Sequence, residues 1–570
     1  MTVDLHRALG PLRKVHTMAM KRRTFVSGLA IGLAASGLAA CSGDDDWGGG
    51  SGGGGGEPVN LDDKRVAAMD DYGPGTTFVA TEPLEIDMLY RDHPGYPYKE
   101  DWLFLTTTQE RNNVTFAMTQ APLSDYDQRR SLLVGAGDAP SVIPVTYPGQ
   151  ESQYVSSGVI LPVSDYLDLL PNFQQKVADW GLEAEIDSLR QEDGKFYLLP
   201  GLLESARPDY TVALRMDVLE ELGLEEPTTW DEFREVLQAI KDDRGSSYVF
   251  SDRWQGEALL QLAAPAFGTS AGWGLSASFW DSEAGEFIFP GASEEYRQLV
   301  EYFAGLVADG LMDPESFTQD DDAAHQKLGQ ESSYAITTNF QEIEVSRTTL
   351  DTTLGEGEYQ LLKIRQPSGP AGDLFGGRRL QSGVMLSSSI ADLDTFVAIM
   401  QWIDWNYYSD EGLEFAKWGV EGETFTRAED GTRELAENVN WLNLNGDAPD
   451  DLRVEYGMMN GVFLLEHGSS DDLVRTLVPE EEVAWQERMA DKELLDPPPA
   501  APMNESEQEQ AGLYQTALTD FVKQNTLAFI TGQRDLSEWD SYVQELEGQN
   551  MTTYIDLVNG AYQRFQENNG

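Results

Sequence analysis

Between residues 85 and 200, short β-rich runs alternate with stretches of helical spacing, and this alternation constrains the fold more than any other feature. Glu85-Ile86-Asp87-Met88-Leu89-Tyr90 reads as a first strand, 114–118 as a second, 141–145 as a third and 195–200 as a fourth. Between the second and third, 125–134 has helical spacing and stops at Gly135-Ala136-Gly137, a C-terminal cap. Strands separated by helices predict an α/β sheet covered by helices. Ligands of such sheets gather at the C-terminal ends of the strands, so the loops holding His93, Tyr96, Tyr147 and Glu204 are candidate site walls. Each of these residues also reads as an ordinary turn or surface residue.

Composition narrows the class. The 570 residues allow three or four domains or two large lobes, and 41% hydrophobic content excludes disorder for most of the chain. With 39 Lys+Arg against 98 Asp+Glu the formal charge is −59, which repels phosphate backbones and argues against a nucleic-acid partner. A single cysteine excludes a disulfide framework. Two of the five histidines, His6 and His16, lie in the leader, leaving His93, His325 and His467. No H-E-x-x-H occurs, so neither a metal nor another cofactor is expected.

The first residues read as an export signal. Lys21-Arg22-Arg23 precedes an apolar run over 24–40 that ends at Cys41, too short and glycine-rich for a membrane span. Leu38-Ala39-Ala40-Cys41 resembles a bacterial lipobox, which implies a diacylated Cys41 as the mature N-terminus. Arg22-Arg23-Thr24-Phe25 looks like a twin-arginine signal, and a general secretory leader with adjacent arginines fits as well. The glycine tract over 48–56 then reads as a flexible tether holding a body off the membrane.

Further along, Gly194-Lys195-Phe196-Tyr197-Leu198-Leu199-Pro200 leads to Leu214-Arg215-Met216-Asp217-Val218-Leu219, then to Pro227-Thr228-Thr229-Trp230-Asp231-Glu232-Phe233. The last stretch is a helix start, with Thr228 or Thr229 as cap and Phe233, Val236, Leu237 and Ile240 as buried stripe; Trp230 reads as a packing residue. In order with Gly272-Trp273-Gly274, Gly310-Leu311-Met312-Asp313-Pro314, Trp418-Gly419-Val420-Glu421-Gly422 and Leu536-Ser537-Glu538-Trp539, these segments resemble the family 1 extracellular solute-binding proteins. The match is to their long lipoprotein branch, to which oligosaccharide and alginate receptors of ABC importers belong.

The resemblance implies a class II periplasmic-binding-protein-like α/β fold, two lobes with a ligand cleft between them. It places a signal peptide over 1–40, the lipidated cysteine and tether over 41–82, a first lobe over 83–207 plus about 341–408, and a second over 208–340 plus about 409–570. Crossings between lobes are expected near 204–210, 337–340 and 407–412. Relatives resembling the alginate receptors carry a calcium loop after the helix that starts at Trp230; here Lys241-Asp242-Asp243-Arg244-Gly245-Ser246-Ser247 lacks the spaced oxygen ligands such a loop needs.

A sugar offers apolar C–H faces and hydroxyl rims, which call for aromatic platforms and paired donors and acceptors. Trp273 and Trp418, each beside glycine, are the expected stacking residues, with Glu421 and Arg207 as polar partners and Trp254 and Trp441 in reserve. The implied activity is capture rather than catalysis: a monomeric lipid-anchored receptor delivering an oligosaccharide or similar polar solute to permease subunits. A secreted glycoside hydrolase is the competing reading, but among 98 acidic residues a carboxylate pair will always be found. A surface sensor or adhesin on the same fold is the third. The acidity itself suggests a surface suited to high ionic strength.

Overall fold

The computed structural model describes residues 61–464 and 468–569; the leader, Cys41, the glycine tract and His467 lie outside the described residues. All four expected runs form strands: β1 (Leu84–Asp92), β2 (Val114–Pro122), β3 (Val142–Thr146) and β4 (Leu198–Leu202). β1 pairs in parallel with β2 along its whole length, from Leu84↔Val114 to Asp92↔Pro122, and with β3 at Met88↔Val142. The strand Leu380–Leu386 enters antiparallel between β3 and β4, giving the order β2, β1, β3, 380–386, β4. A bulge between Gly383 and Met385 lets it fit, and a Cβ on Gly383 would lie 2.0 Å from the Leu199 carbonyl oxygen. The helix Tyr126–Ala136 ends on Gly137 at φ +73°, the left-handed cap expected there.

A second sheet is built around β5 (Thr211–Arg215), flanked antiparallel by Ala335–Thr338 and Leu361–Lys363. Helix Trp230–Arg244 covers it. Thr229 accepts from the Glu232 amide while Glu232 accepts from the Thr229 amide, a full capping box, and Trp230, Phe233, Val236, Leu237 and Ile240 are buried. Trp230 therefore packs in the core, as expected from the helix start.

Two apolar cores follow from the two sheets. One draws on residues 67–202 and 380–477; the other draws on 212–364 and 511–558, with a small separate cluster under the helix Glu342–Thr353. The chain leaves the first sheet after Leu202 and enters the second at Thr211. Of the expected boundaries, that near 341 does not fall at a change of lobe, because Leu361–Lys363 still pairs with β5. That near 409 does not either: the helix Asp410–Trp418 buries Leu413, Phe415 and Trp418 in the first core. The returns lie instead in 364–379, a stretch rich in proline and glycine, and just after 477, at Pro479 and the three glutamates that follow it. Among the described residues no helix is long and apolar enough to cross a membrane.

Candidate functional site

Tyr210, the last residue before β5, stands where the chain has just crossed between sheets. Its ring meets Trp254 at 5.3 Å and Trp273 at 5.5 Å, and the two indoles lie 5.4 Å apart. These edge-on and tilted contacts keep the three rings from stacking flat on one another. Trp273 is 47% exposed. A cavity of about 440 Å³ opens beside the two tryptophans, lined also by the amides of Gln255 and Gln319 and the carboxylates of Glu257, Asp320 and Asp321.

Local backbone geometry presents both indoles. Gly272 sits at φ +59° and so close to the helix Glu257–Ala263 that a Cβ would lie 1.9 Å from the Glu257 carbonyl oxygen. Only glycine fits, and the turn carries Trp273 outward. Trp254 and Gln255 are themselves left-handed, at φ +54° and +55°, a conformation that costs a non-glycine residue about 1–3 kcal/mol.

Arg253 holds that strained turn. Its guanidinium is 0% exposed and lies 3.7 Å from the Trp254 ring centroid, a desolvated cation–π contact. It donates to Glu342 at 2.6 Å and to the Thr337 carbonyl at 3.2 Å, and reaches His325 Nε2 at 3.1 Å. Arginine only donates, so Nε2 accepts and the imidazole proton sits on Nδ1, facing Ser346 Oγ at 3.2 Å. Burial and then the Arg253 charge hold the His325 pKa below its usual value. Asp252 next door accepts from the Thr337 amide and hydroxyl, and burial pushes its carboxyl up to about 6.

The other expected site residues fall into separate groups. His93 and Tyr96 stack at 4.2 Å just after β1, with the Arg453 guanidinium 4.9 Å from Tyr96 and 4.6 Å from Trp441. Partial burial, then Arg453 and Arg91, lower the His93 pKa. Tyr147 follows β3 and is 40% exposed. At the first crossing, Glu204 accepts from the Asp471 amide and Arg207 pairs with the Asp471 carboxylate, so both are tied to the chain itself.

Trp418 is corrected. It is 0% exposed, packs on Phe425 and donates its indole N–H to the Leu473 carbonyl at 2.9 Å. Gly419 serves the exit from its helix, since a Cβ there would lie 2.3 Å from Thr424 Oγ1. Glu421 is exposed and ion-pairs with Arg427 at 3.2 Å. Tyr210, Arg253, Gln319 and the three acids were not singled out from sequence, because their positions depend on a left-handed turn that no local signal announces. Gly268-Thr269-Ser270-Ala271-Gly272 spells G-x-S-x-G, but no strand precedes it and no α-helix follows; the Ser270 hydroxyl accepts from the Ser276 amide. Among the described residues no His, Cys, Asp and Glu group is arranged to hold a metal.

Residues 105–354 match the family model for bacterial extracellular solute-binding proteins, a span that takes in β2 to β5 and the Trp254–Trp273 wall. That match covers 250 of the 570 residues. It is 22% identical over 537 residues to the fructooligosaccharide ABC transporter substrate-binding protein FusA of Streptococcus pneumoniae serotype 4, covering 89% of this chain and 95% of that one. The fold is similar to an HMO-binding ABC-transporter-associated solute-binding protein from Bifidobacterium longum infantis (TM-score 0.62, 18% identity, 85% of this chain and 99% of that one). It is also similar to the alginate-binding protein AlgQ2 in its calcium-free form (TM-score 0.60, 18% identity, 86% and 99%).

Proposed function

We propose that this solute-binding protein captures an oligosaccharide between its lobes and delivers it to the permease of an ABC importer, anchored outside the cytoplasm through a lipid on Cys41. The observation that carries this reading is the Tyr210–Trp254–Trp273 wall beside a cavity, at the point where the chain crosses between sheets. Indole faces stack on sugar rings, and the exposed Gln255 amide can both donate to and accept from hydroxyls. Relatives that bind fructooligosaccharide, HMO and alginate support the class of ligand. The protein acts as a monomer, by lobe closure and without bond chemistry.

Calorimetry of the purified protein against a panel of oligosaccharides tests the proposal. Saturable binding with the sugar recovered intact is the expected outcome; released reducing ends would replace it with the hydrolase reading. Lipidation is tested separately by the mass of the N-terminal peptide, which should carry acyl groups on Cys41 and start there.

A further inference from the structure

Trp254 and Trp273 share their cavity with Glu257, Asp320 and Asp321, and none of the residues lining it is basic. The cations nearby are committed. Arg253 is buried behind Trp254 and bound to Glu342 and Thr337, Lys327 behind Gln319 is paired with Asp313 and Glu315, and Lys523 reaches Glu257 at 3.4 Å and offsets that one carboxylate. Asp320 and Asp321 remain unmatched by any cation in the wall.

Helix ends do not reverse this balance. The helix Asp321–Gly329 points its N-terminus at the cavity region, a place where an anion would ordinarily be favoured. That partial positive charge is already taken up: Asp320 accepts from the Ala323 amide at 2.9 Å, and Asp321 takes the Trp254 amide at 3.4 Å. A ligand carboxylate within about 5 Å of either group would meet like charge, worth roughly ten- to hundred-fold in affinity before screening.

We infer that the Trp254–Trp273 wall selects uncharged sugar units and rejects uronate-bearing chains. The inference rests on the oligosaccharide reading above and adds the charge of the ligand to it. The uncharged unit stacks its C–H face on indole and offers its hydroxyls to Gln255, while Asp320 and Asp321 accept from hydroxyls but not from a carboxylate.

The test is calorimetry of the full chain against neutral fructo-, gluco-, galacto- and xylo-oligosaccharides and against oligoalginate and oligogalacturonate. The carboxyl-reduced form of the same oligogalacturonate supplies a neutral match of equal length and linkage. The expected result is a neutral ligand at least ten-fold tighter than any uronate; a uronate within ten-fold of the best neutral sugar overturns the inference alone. Silence from the whole panel overturns the oligosaccharide reading and this inference with it. A doubly substituted chain, Asp320→Asn with Asp321→Asn, keeps a capping side chain at 320. It should narrow the neutral-to-uronate ratio at least ten-fold with its melting curve unchanged, and an unaltered ratio would also overturn the inference.

Discussion

At the scale of single residues, Trp273 and Trp418 carry the same sequence signal, an indole beside glycine, and end in opposite environments. Gly272 is forced by a loop pressing on a helix backbone, Gly419 by a helix leaving its last turn. Trp273→Ala should therefore weaken ligand binding by about 1–3 kcal/mol with little change in melting temperature, measured by calorimetry and thermal denaturation. Trp418→Ala should do the reverse, lowering stability by about 3–5 kcal/mol while the folded fraction binds as before. Sequence could flag both tryptophans, but burial depends on what lies across the helix, and neighbours along the chain do not report it. Glu151 shows another effect of burial. It is 1% exposed, one carboxylate oxygen has no hydrogen-bond partner, and burial pushes its pKa from 4.5 to about 7. A carboxyl raised on folding lends stability that is full below about pH 4.5 and is lost as pH rises through about 7. Glu151→Gln should flatten that slope, raising the melting temperature at about pH 8 more than at about pH 4.

At the scale of elements, locally encoded pieces were legible and long-range pairings were not. The four strands, the helix ended by Gly137 and the Thr229–Glu232 box each follow from a dozen residues or fewer of pattern and capping. The placement of Leu380–Leu386 between β3 and β4 depends on partners about 180 to 240 residues earlier, so the lobe boundaries drawn from sequence missed it. The second crossing region also holds a fully buried ion pair. Lys363 and Glu482 meet at 2.8 Å, both nearly inaccessible, with the Lys363 ammonium 3.4 Å from the Trp485 ring centroid. Breaking one side by Lys363→Met should cost about 3–5 kcal/mol in denaturant unfolding, whereas the double change with Glu482→Leu should recover most of that loss.

At the scale of the whole molecule, the net charge of −59 acts on stability through self-repulsion. Many of its basic side chains sit in ion pairs, Arg365 with Asp373 and Asp491, Arg433 with Glu414 and Asp472, so the acidic excess is left to the solvent. Added monovalent salt should raise the melting temperature; a fall would show that these pairs outweigh the repulsion they leave behind. The strand Leu380–Leu386 has a consequence during synthesis. β3 and β4 face a gap in their sheet until that strand is made, so a nascent chain that has already presented the first 200 residues still cannot finish its first lobe. The first lobe therefore closes only after nearly 400 residues have been made, which ties the completion of an early sheet to a late part of the chain.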